Sequence, residues 1–220
     1  MRPVKIPEKT VTRLSIYLRC LEELETGSVA TISSRQLAER FGLNSAQVRK
    51  DLAYFGQFGV RGLGYHIAEL KHNLERILGL KQDWEVALVG VGNLGSALIA
   101  YKGFGARGFK IGLAFDASPA KMGQVIQDVE IEGVDRLVTT IRRRRVKIAV
   151  IAVPAIAAQS VADLLVEAGV TAILNFAPAQ LAVPAGVKVQ NVDLSVLLKT
   201  LSYHTVRASR PPKIAPHPPE

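Results

Sequence analysis

The chain has 220 residues, with 28 Lys or Arg against 19 Asp or Glu and a formal net charge of +9. This length allows one or two domains with a buried core, and the basic surplus favours a polyanionic partner such as nucleic acid. The single cysteine, Cys20, excludes an internal disulfide. There is no signal segment and no apolar run long enough to span a bilayer. We therefore expect a cytoplasmic protein with no membrane partner.

The N-terminal third carries the signals of a helix-turn-helix. Apolar residues at helical spacing predict a first helix over residues 8–25, with Cys20 in its core. Ser33 with Gln36 three residues later is a capping box and predicts the start of a second helix. Asn44, again with a glutamine three residues later, predicts the start of a third. Two caps separated by a Phe-Gly-Leu turn are typical of a helix-turn-helix.

The third predicted helix has the composition of a recognition helix. Val48 and Leu52 face inward, which leaves Gln47, Arg49 and Lys50 outside, where they can bond base edges or phosphates in a major groove. The alternative for each basic residue alone is an ordinary solvated helix face. Glycines at 56, 59, 62 and 64 then predict a tight hairpin, and a hairpin after a recognition helix is the wing of a winged helix. Arg61 on this wing can enter a minor groove or contact phosphate.

After a linking helix that includes Ile67 and Leu78, strands and helices alternate. Predicted strands cover 84–89, 111–115, 148–153, 172–176 and 187–192, and predicted helices lie near 94–102, 135–144 and 157–168. Continuous apolar strands separated by helices predict a parallel sheet covered on both faces. The fold class is therefore α/β, with an N-terminal winged-helix DNA-binding domain before a Rossmann-type, doubly wound parallel sheet. We divide the chain into a DNA-binding domain at 1–80, a nucleotide domain at 81–192, a C-terminal helix at 193–208 and a disordered tail at 209–220.

A dinucleotide fingerprint follows the first predicted strand of the sheet. Gly90 permits a tight turn, Gly92 lets the backbone approach a pyrophosphate, and Gly95 lets the helix pack on the strand. About 20 residues later the next strand ends in Asp116, whose carboxylate can accept the ribose hydroxyls and repel a 2′-phosphate. The pattern favours NAD(H) over NADP(H). The alternative is that Asp116 only caps the following turn.

Two further strand ends are candidates for the nicotinamide pocket, because ligands bind outside the carboxyl ends of parallel strands. They are the segments at Val153-Pro154 and at Asn175-Phe176, for which plain turn chemistry is the alternative. The residues that we assign to the cofactor site are Gly90, Val91, Gly92, Asn93, Leu94, Gly95, Asp116, Lys121, Met122, Ala152, Val153, Pro154, Asn175 and Phe176.

Catalytic machinery is missing from the pattern. Hydride transfer needs an acid or base and a region that binds substrate, but none of the four histidines follows a strand of the sheet. We predict no catalytic residue, no metal site, no small-molecule substrate and no enzymatic activity. The arginine run 142–145 is read as a helix end, where cations favour the helix dipole, in preference to a nucleic-acid site.

The motifs together resemble the family of redox-sensing transcriptional repressors named Rex. The resemblance rests on the segments 47–52, 54–56, 58–59, 62–65, 90–95, 101, 103–104, 116, 153–154 and 175–178, and it spans roughly residues 3 to 206. The chain departs from the family in having Lys102 after Tyr101, where we expect proline, and in its proline-rich tail. The residues that we assign to DNA binding are Ser45, Gln47, Arg49, Lys50, Tyr54, Phe58, Arg61, Gly62 and Tyr65.

The resemblance implies a homodimer that binds an inverted-repeat operator and leaves it when NADH binds. It also implies that the C-terminal helix is swapped into the partner subunit, and that Asp193 approaches Tyr101 and Arg19 in alternative arrangements of the dimer. A second hypothesis, from another class of function, is a small oxidoreductase or a CoA-binding nucleotide domain with an accessory head. Asp116 argues against CoA, whose ribose carries a phosphate.

Overall fold

The structure is a computed structural model that describes residues 6–25, 30–40, 42–60 and 62–208, with side chains described through Val206. The chain forms two compact units that divide between Asp83 and Trp84. The proline-rich tail, His217 and Arg61 lie outside the described residues. Among the described residues, no helix has the length and apolar composition of a membrane span.

The first unit is a helical head with a small antiparallel sheet. Its elements are α1 (Glu8–Glu25), β1 (Thr31–Ile32), α2 (Ser34–Glu39), α3 (Ser45–Ala53), β2 (Gly59–Val60), β3 (Gly64–His66) and α4 (Ile67–Ile77). The sheet order is β1-β3-β2. The predicted winged helix is confirmed, with α3 at the position predicted for the recognition helix and the β2–β3 hairpin at the position predicted for the wing. Cys20 is fully buried in the core of this unit, as predicted, and burial raises the pKa of its thiol.

The second unit contains a seven-stranded sheet. Its elements are β4 (Trp84–Val89), α5 (Asn93–Ala100), β5 (Phe109–Asp116), β6 (Val125–Ile126), β7 (Val129–Gly133), α6 (Leu137–Arg144), β8 (Ile148–Ile151), α7 (Ala155–Glu167), β9 (Ala172–Asn175), β10 (Lys188–Asn191) and α8 (Leu194–Ala208). The strand order is β10-β9-β8-β4-β5-β7-β6. Every neighbouring pair is parallel except β6 and β7.

This sheet buries apolar side chains on both faces, as predicted. Ala87 and Val89 of β4 belong to a core cluster that includes residues of α6 and α7. Val86 and Leu88 point to the opposite face, into a cluster that includes Ile99 of α5. The chain runs from β4 outward to β7 and then returns to β8 on the other side of β4. The carboxyl ends of β4 and β8 therefore form the switch point at which open α/β sheets bind ligands.

The strand β7 was missed by the sequence analysis, which searched for continuous apolar runs. Val129 and Ile131 face the core while Glu130 points outward. Such alternation is typical of a strand buried on one face. The sheet consequently extends beyond β5 by a parallel strand and an antiparallel edge strand that were not predicted.

The last helix, α8, exposes its apolar side chains. Leu194, Leu197 and Leu201 lie on one stripe, and all three are more than half exposed. Val196 and Tyr203 lie on the opposite side of the helix and are also more than half exposed. A helix that is apolar around its circumference is ordinarily buried.

Candidate nucleotide and DNA sites

The glycine-rich loop between β4 and α5 has the conformation that the fingerprint requires. Gly90 has a φ of +98°, and a Cβ there would lie 2.6 Å from the carbonyl oxygen of Ala152. A Cβ at Gly95 would lie 2.0 Å from the carbonyl oxygen of Gly90. At Gly92, by contrast, a Cβ would meet nothing within 4 Å. The loop is therefore closed toward the sheet and open at the residue where a pyrophosphate would approach the start of α5.

Asp116 ends β5 beside this loop, and the residue is 8% exposed. Its Oδ2 accepts from the Val91 backbone N–H at 2.8 Å and from Lys121 Nζ at 3.0 Å, while Oδ1 accepts from the Ser118 N–H. Burial raises the pKa of the carboxyl, but these three donors outweigh it and leave the pKa below its usual value. Asp116 is thus ionised at neutral pH and joins the loop to the next strand. It also caps the turn at Ser118, as the alternative interpretation expects, and its ribose role stays a prediction.

The remaining cofactor candidates lie at the same edge of the sheet. Ala152, Val153 and Pro154 follow β8 and lead into α7. Phe176 follows β9 and is half-buried, whereas Met122 follows Lys121 and is exposed. Because β9, β8, β4 and β5 are consecutive in the sheet, the structure brings together every segment that the sequence assigned to the cofactor.

Asn175 has a role that the sequence did not predict. It is completely buried, and its Nδ2 donates to the carbonyls of Ala177 and Ala179 and to Oδ1 of Asn191. Its own Oδ1 accepts from the Ala177 N–H. The side chain therefore fixes the conformation of the loop after β9 and joins β9 to β10.

The recognition helix α3 is capped by Asn44, whose Oδ1 accepts from the Ala46 N–H at 2.7 Å. Val48 and Leu52 are buried, as predicted. At α2 the predicted capping box between Ser33 and Gln36 is present. Gln47 differs from expectation, because it is half-buried and its amide donates to the carboxylate of Asp51, one turn later in the same helix.

The two basic residues of α3 have different surroundings. Arg49 Nη1 donates to Ser34 Oγ at 3.0 Å, so its guanidinium is directed toward α2. It borders a cleft of about 670 Å³ that Ser34, Phe58, Gly59 and Tyr65 also line. Burial raises the pKa of Tyr65, and the Arg49 charge partly offsets this increase. Lys50 is exposed on α3. Ser45 starts that helix, Tyr54 ends it, and Gly62 lies at the tip of the hairpin.

A buried carboxylate in α3 was missed by the sequence analysis. Asp51 is 0% exposed. Its Oδ1 accepts from Thr10, Arg13 and Gln47 at 3.1, 2.7 and 2.8 Å, and its Oδ2 accepts from Arg13 and Tyr17. Burial opposes ionisation, but the hydrogen bonds outweigh it and lower the pKa of Asp51. An acidic residue between the core positions 48 and 52 was the available signal.

Tyr101 and Asp193, which the family resemblance brings together in one arrangement of the dimer, belong to the second unit. Tyr101 is 54% exposed, and its ring makes an edge-to-face contact with Phe104 at 5.0 Å between centroids. Asp193 precedes α8, and its Oδ1 accepts from Ser195 and from the Val196 N–H, which lowers the pKa of this carboxyl. Arg19 is exposed on α1 in the head unit.

The arginine run forms the C-terminal end of α6, as predicted. Arg142 donates to the backbone carbonyl of Glu167, and Arg144 pairs with Glu85. Among the described residues, no group of three or more His, Cys, Asp or Glu side chains is arranged to hold a metal ion. The histidines His66 and His72 lie in the head unit, and His204 lies in α8.

Two family models match the chain, one on each unit. Residues 5–53 match the model of a putative DNA-binding protein N-terminus, and residues 81–179 match the model of a CoA binding domain.

Relatives and solved structures match nearly the whole chain. The redox-sensing transcriptional repressor Rex of Pelotomaculum thermopropionicum is 50% identical over 207 residues, which are 94% of this chain and 97% of that protein. Rex of Carboxydothermus hydrogenoformans is also 50% identical over 207 residues, or 94% of this chain and 100% of that protein. A crystal structure of RSP, a Rex-family repressor, in complex with β-NAD+ and operator DNA has a TM-score of 0.88 and 40% identity, covering 93% of this chain and 94% of that one. RSP in complex with β-NADH has a TM-score of 0.84 and 39% identity, covering 92% and 95%.

Proposed function

The chain belongs to the Rex family of redox-sensing transcriptional repressors, and we propose that its head binds operator DNA until NADH binds the nucleotide unit. The observation that carries this function is the 50% identity to Rex repressors across both units of the chain. The protein is a repressor and not an enzyme. The oxidoreductase or CoA-binding alternative is not favoured, since the relatives that match the whole chain, including the segment that fits the CoA-binding model, are repressors.

NAD(H) is the cofactor. We infer that the open backbone at Gly92 and the start of α5 receive the pyrophosphate, and that the ionised Asp116 receives the ribose hydroxyls after exchanging its bond with Lys121. The loops after β8 and β9 then lie beside the nicotinamide. The oxidised and reduced nicotinamide rings differ by one charge. We infer that this charge difference is what allows the protein to respond differently to NAD+ and NADH.

Operator DNA is the second partner. We infer that α3 enters the major groove. Lys50, which does not line the cleft beside Arg49, reaches base edges there, while Arg49 beside Ser34 contacts phosphate. The β2–β3 hairpin, with Phe58 and Gly62, follows the adjacent DNA backbone. Tyr65, which was assigned to DNA binding, is 8% exposed and packs in the core of the head, so we infer that it supports the hairpin from inside. Arg61 keeps its predicted role on the wing, although it lies outside the described residues.

We infer that coupling between the units acts through a second copy of the chain. We infer a homodimer through α8, whose exposed apolar side chains need a partner, bound to an inverted repeat. We retain Asp193, Tyr101 and Arg19 as the residues whose contacts differ between the two arrangements. NADH acts only through its differential affinity for those arrangements. A nearly complete shift needs roughly 5.5 kcal/mol over both sites, which a few hydrogen bonds per site can supply. The cytoplasm, which holds DNA and the NAD(H) pool, is the inferred location.

The direct test is a gel shift with the full chain, a duplex selected from a random pool and graded NADH/NAD+ ratios. We expect retarded DNA with NAD+ and progressive release as the NADH fraction rises. At saturating total NAD(H), release that does not follow the NADH fraction would contradict the function, and so would the absence of any selected duplex. Thermal shift supplies a control, since NADH at a hundredfold excess over its Kd stabilises the fold by roughly 2.7 kcal/mol and CoA should not.

A further inference from the structure

The buried carboxylate of Asp51 is not explained by packing. Its neighbours in α3, Val48 and Leu52, show that this side of the helix faces an apolar core. A buried ion pair such as Arg13–Asp51 can often be replaced by apolar residues without loss of stability. A leucine at position 51 would also remove a residue that disfavours helix interiors. The carboxylate therefore needs a reason beyond holding the helices together.

Two partners of Asp51 are partly exposed, Arg13 on α1 and Gln47 on α3. Thr10, Arg13 and Tyr17 all come from one face of α1, and they approach the carboxylate from within the head. The fourth partner, Gln47, lies one turn earlier on α3 and is half-buried. It is the member of the network that belongs to the recognition helix and that we assign to the major groove.

We propose that Asp51 is a positioning residue that sets the orientation of the Gln47 amide for reading a base pair. This inference rests on the proposed function of the head. A carboxylate accepts hydrogen bonds and an ionised one cannot donate, so Gln47 must turn its nitrogen toward Asp51. The amide oxygen and the second N–H remain, and this pair of groups matches N6 and N7 of adenine.

The buried network fixes this orientation before DNA binds. Asp51 holds Gln47 at 2.8 Å, and it is itself held by both Arg13 nitrogens, Tyr17 and Thr10, so neither side chain is free to turn. The low pKa of the carboxyl keeps it ionised across the neutral range. Gln47 without Asp51 would present either edge of its amide and would lose its preference for one base.

The test compares base preferences at every operator position, measured by selection from a random duplex pool with the full chain. The variants are Gln47→Ala, Asp51→Asn and Tyr17→Phe. Gln47→Ala should flatten the preference at one position per half-site by roughly 5- to 150-fold, the range of a bidentate contact. Both oxygens of Asp51 accept from Arg13, so an amide at this position directs an N–H at a donor in either orientation and can also donate to the Gln47 oxygen. Asp51→Asn should therefore flatten the same position by a similar factor, and the double variant should lose no more. Tyr17→Phe is the matched control, because it removes one hydrogen bond to Asp51 and leaves the bond to Gln47.

Three results would overturn the inference. They are an unchanged preference in Asp51→Asn, a uniform loss of affinity without flattening, and the same flattening in Tyr17→Phe. If Asp51→Asn does not fold, Arg13→Met combined with Asp51→Leu replaces the ion pair by apolar side chains and should flatten the same position. Failure of that variant to fold would show a purely structural network and would also overturn the proposal. A wild-type chain that selects no operator would instead refute the function of the head.

Discussion

Removal of α8 should convert a dimer into monomers. Seven large apolar side chains of this helix are between 53% and 65% exposed: Leu194, Val196, Leu197, Leu198, Leu201, Tyr203 and Val206. Complete burial of such a side chain contributes roughly 1.5–3 kcal/mol, so covering the exposed part of all seven contributes about 6–13 kcal/mol per helix. A symmetric dimer covers two helices. Association costs roughly 4–15 kcal/mol, and the net free energy that remains is near that of a dimer with a micromolar Kd.

The assay is sedimentation velocity over a concentration series, with a gel shift on the same samples. A chain truncated before Asp193 should sediment as a monomer, or as a dimer that no longer releases DNA with NADH, while each unit remains folded by circular dichroism. Truncation after Arg210 should change neither property. Leu198→Asp should weaken the dimer in the full chain, and Lys199→Ala on the same turn is its control. A chain truncated before Asp193 that stays dimeric and releases operator at the same NADH concentration would refute the reasoning.

Three further predictions concern the two sites and the head. Asp116→Ala should weaken NADH binding by roughly 1.5–3 kcal/mol per hydrogen bond lost. Operator binding without cofactor should persist. An unchanged NADH affinity in a calorimetric titration would contradict the ribose assignment. Arg49→Ala should lower operator affinity for all sequences and reduce the salt slope of binding by about one unit. Lys50→Ala should instead cost roughly 1–3 kcal/mol of binding free energy and relax specificity. Fluorescence anisotropy at several salt concentrations distinguishes the two, and full affinity in both variants would remove α3 from the interface. The pKa of Asp51 is lowered in the folded head. Its ionisation therefore contributes fully to the free energy of unfolding above the unfolded pKa of about 3.9, and this contribution declines as the pH falls through the folded pKa. Urea unfolding at a series of acidic pH values should show this decline, and a profile identical to that of Asp51→Asn would contradict it.

Much of the fold was predictable because its signals are local. The capping box at Ser33 and the cap at Asn44 involve residues two or three positions apart, so their geometry is written in the sequence. The same holds for the glycine loop, where the tight turn at Gly90 requires a positive φ that glycine permits. The edge of the sheet was less predictable, because β7 alternates apolar and acidic residues over five positions and gives a weak signal.

The candidate sites divide in the same way. The sequence by itself determined which segments meet at the carboxyl edge of the sheet, since parallel strands bring their carboxyl ends to one edge. It could not determine that Asn175 faces inward, because its partner Asn191 is 16 residues away on another strand. It also could not separate Arg49 from Lys50, since Ser34 is 15 residues from Arg49 and meets it only when α2 packs beside α3.

Asp51 shows most clearly what tertiary structure decided. Helical periodicity places positions 47 and 51 on one face of α3, and that much is local. The donors on α1 are 34 to 41 residues away, and they converge on one carboxylate only because α1 and α3 pack together. A charged side chain is stable without water only when such donors surround it. The sequence alone therefore determined that a recognition helix exists, and the packing of α1 against it decided which way Gln47 faces.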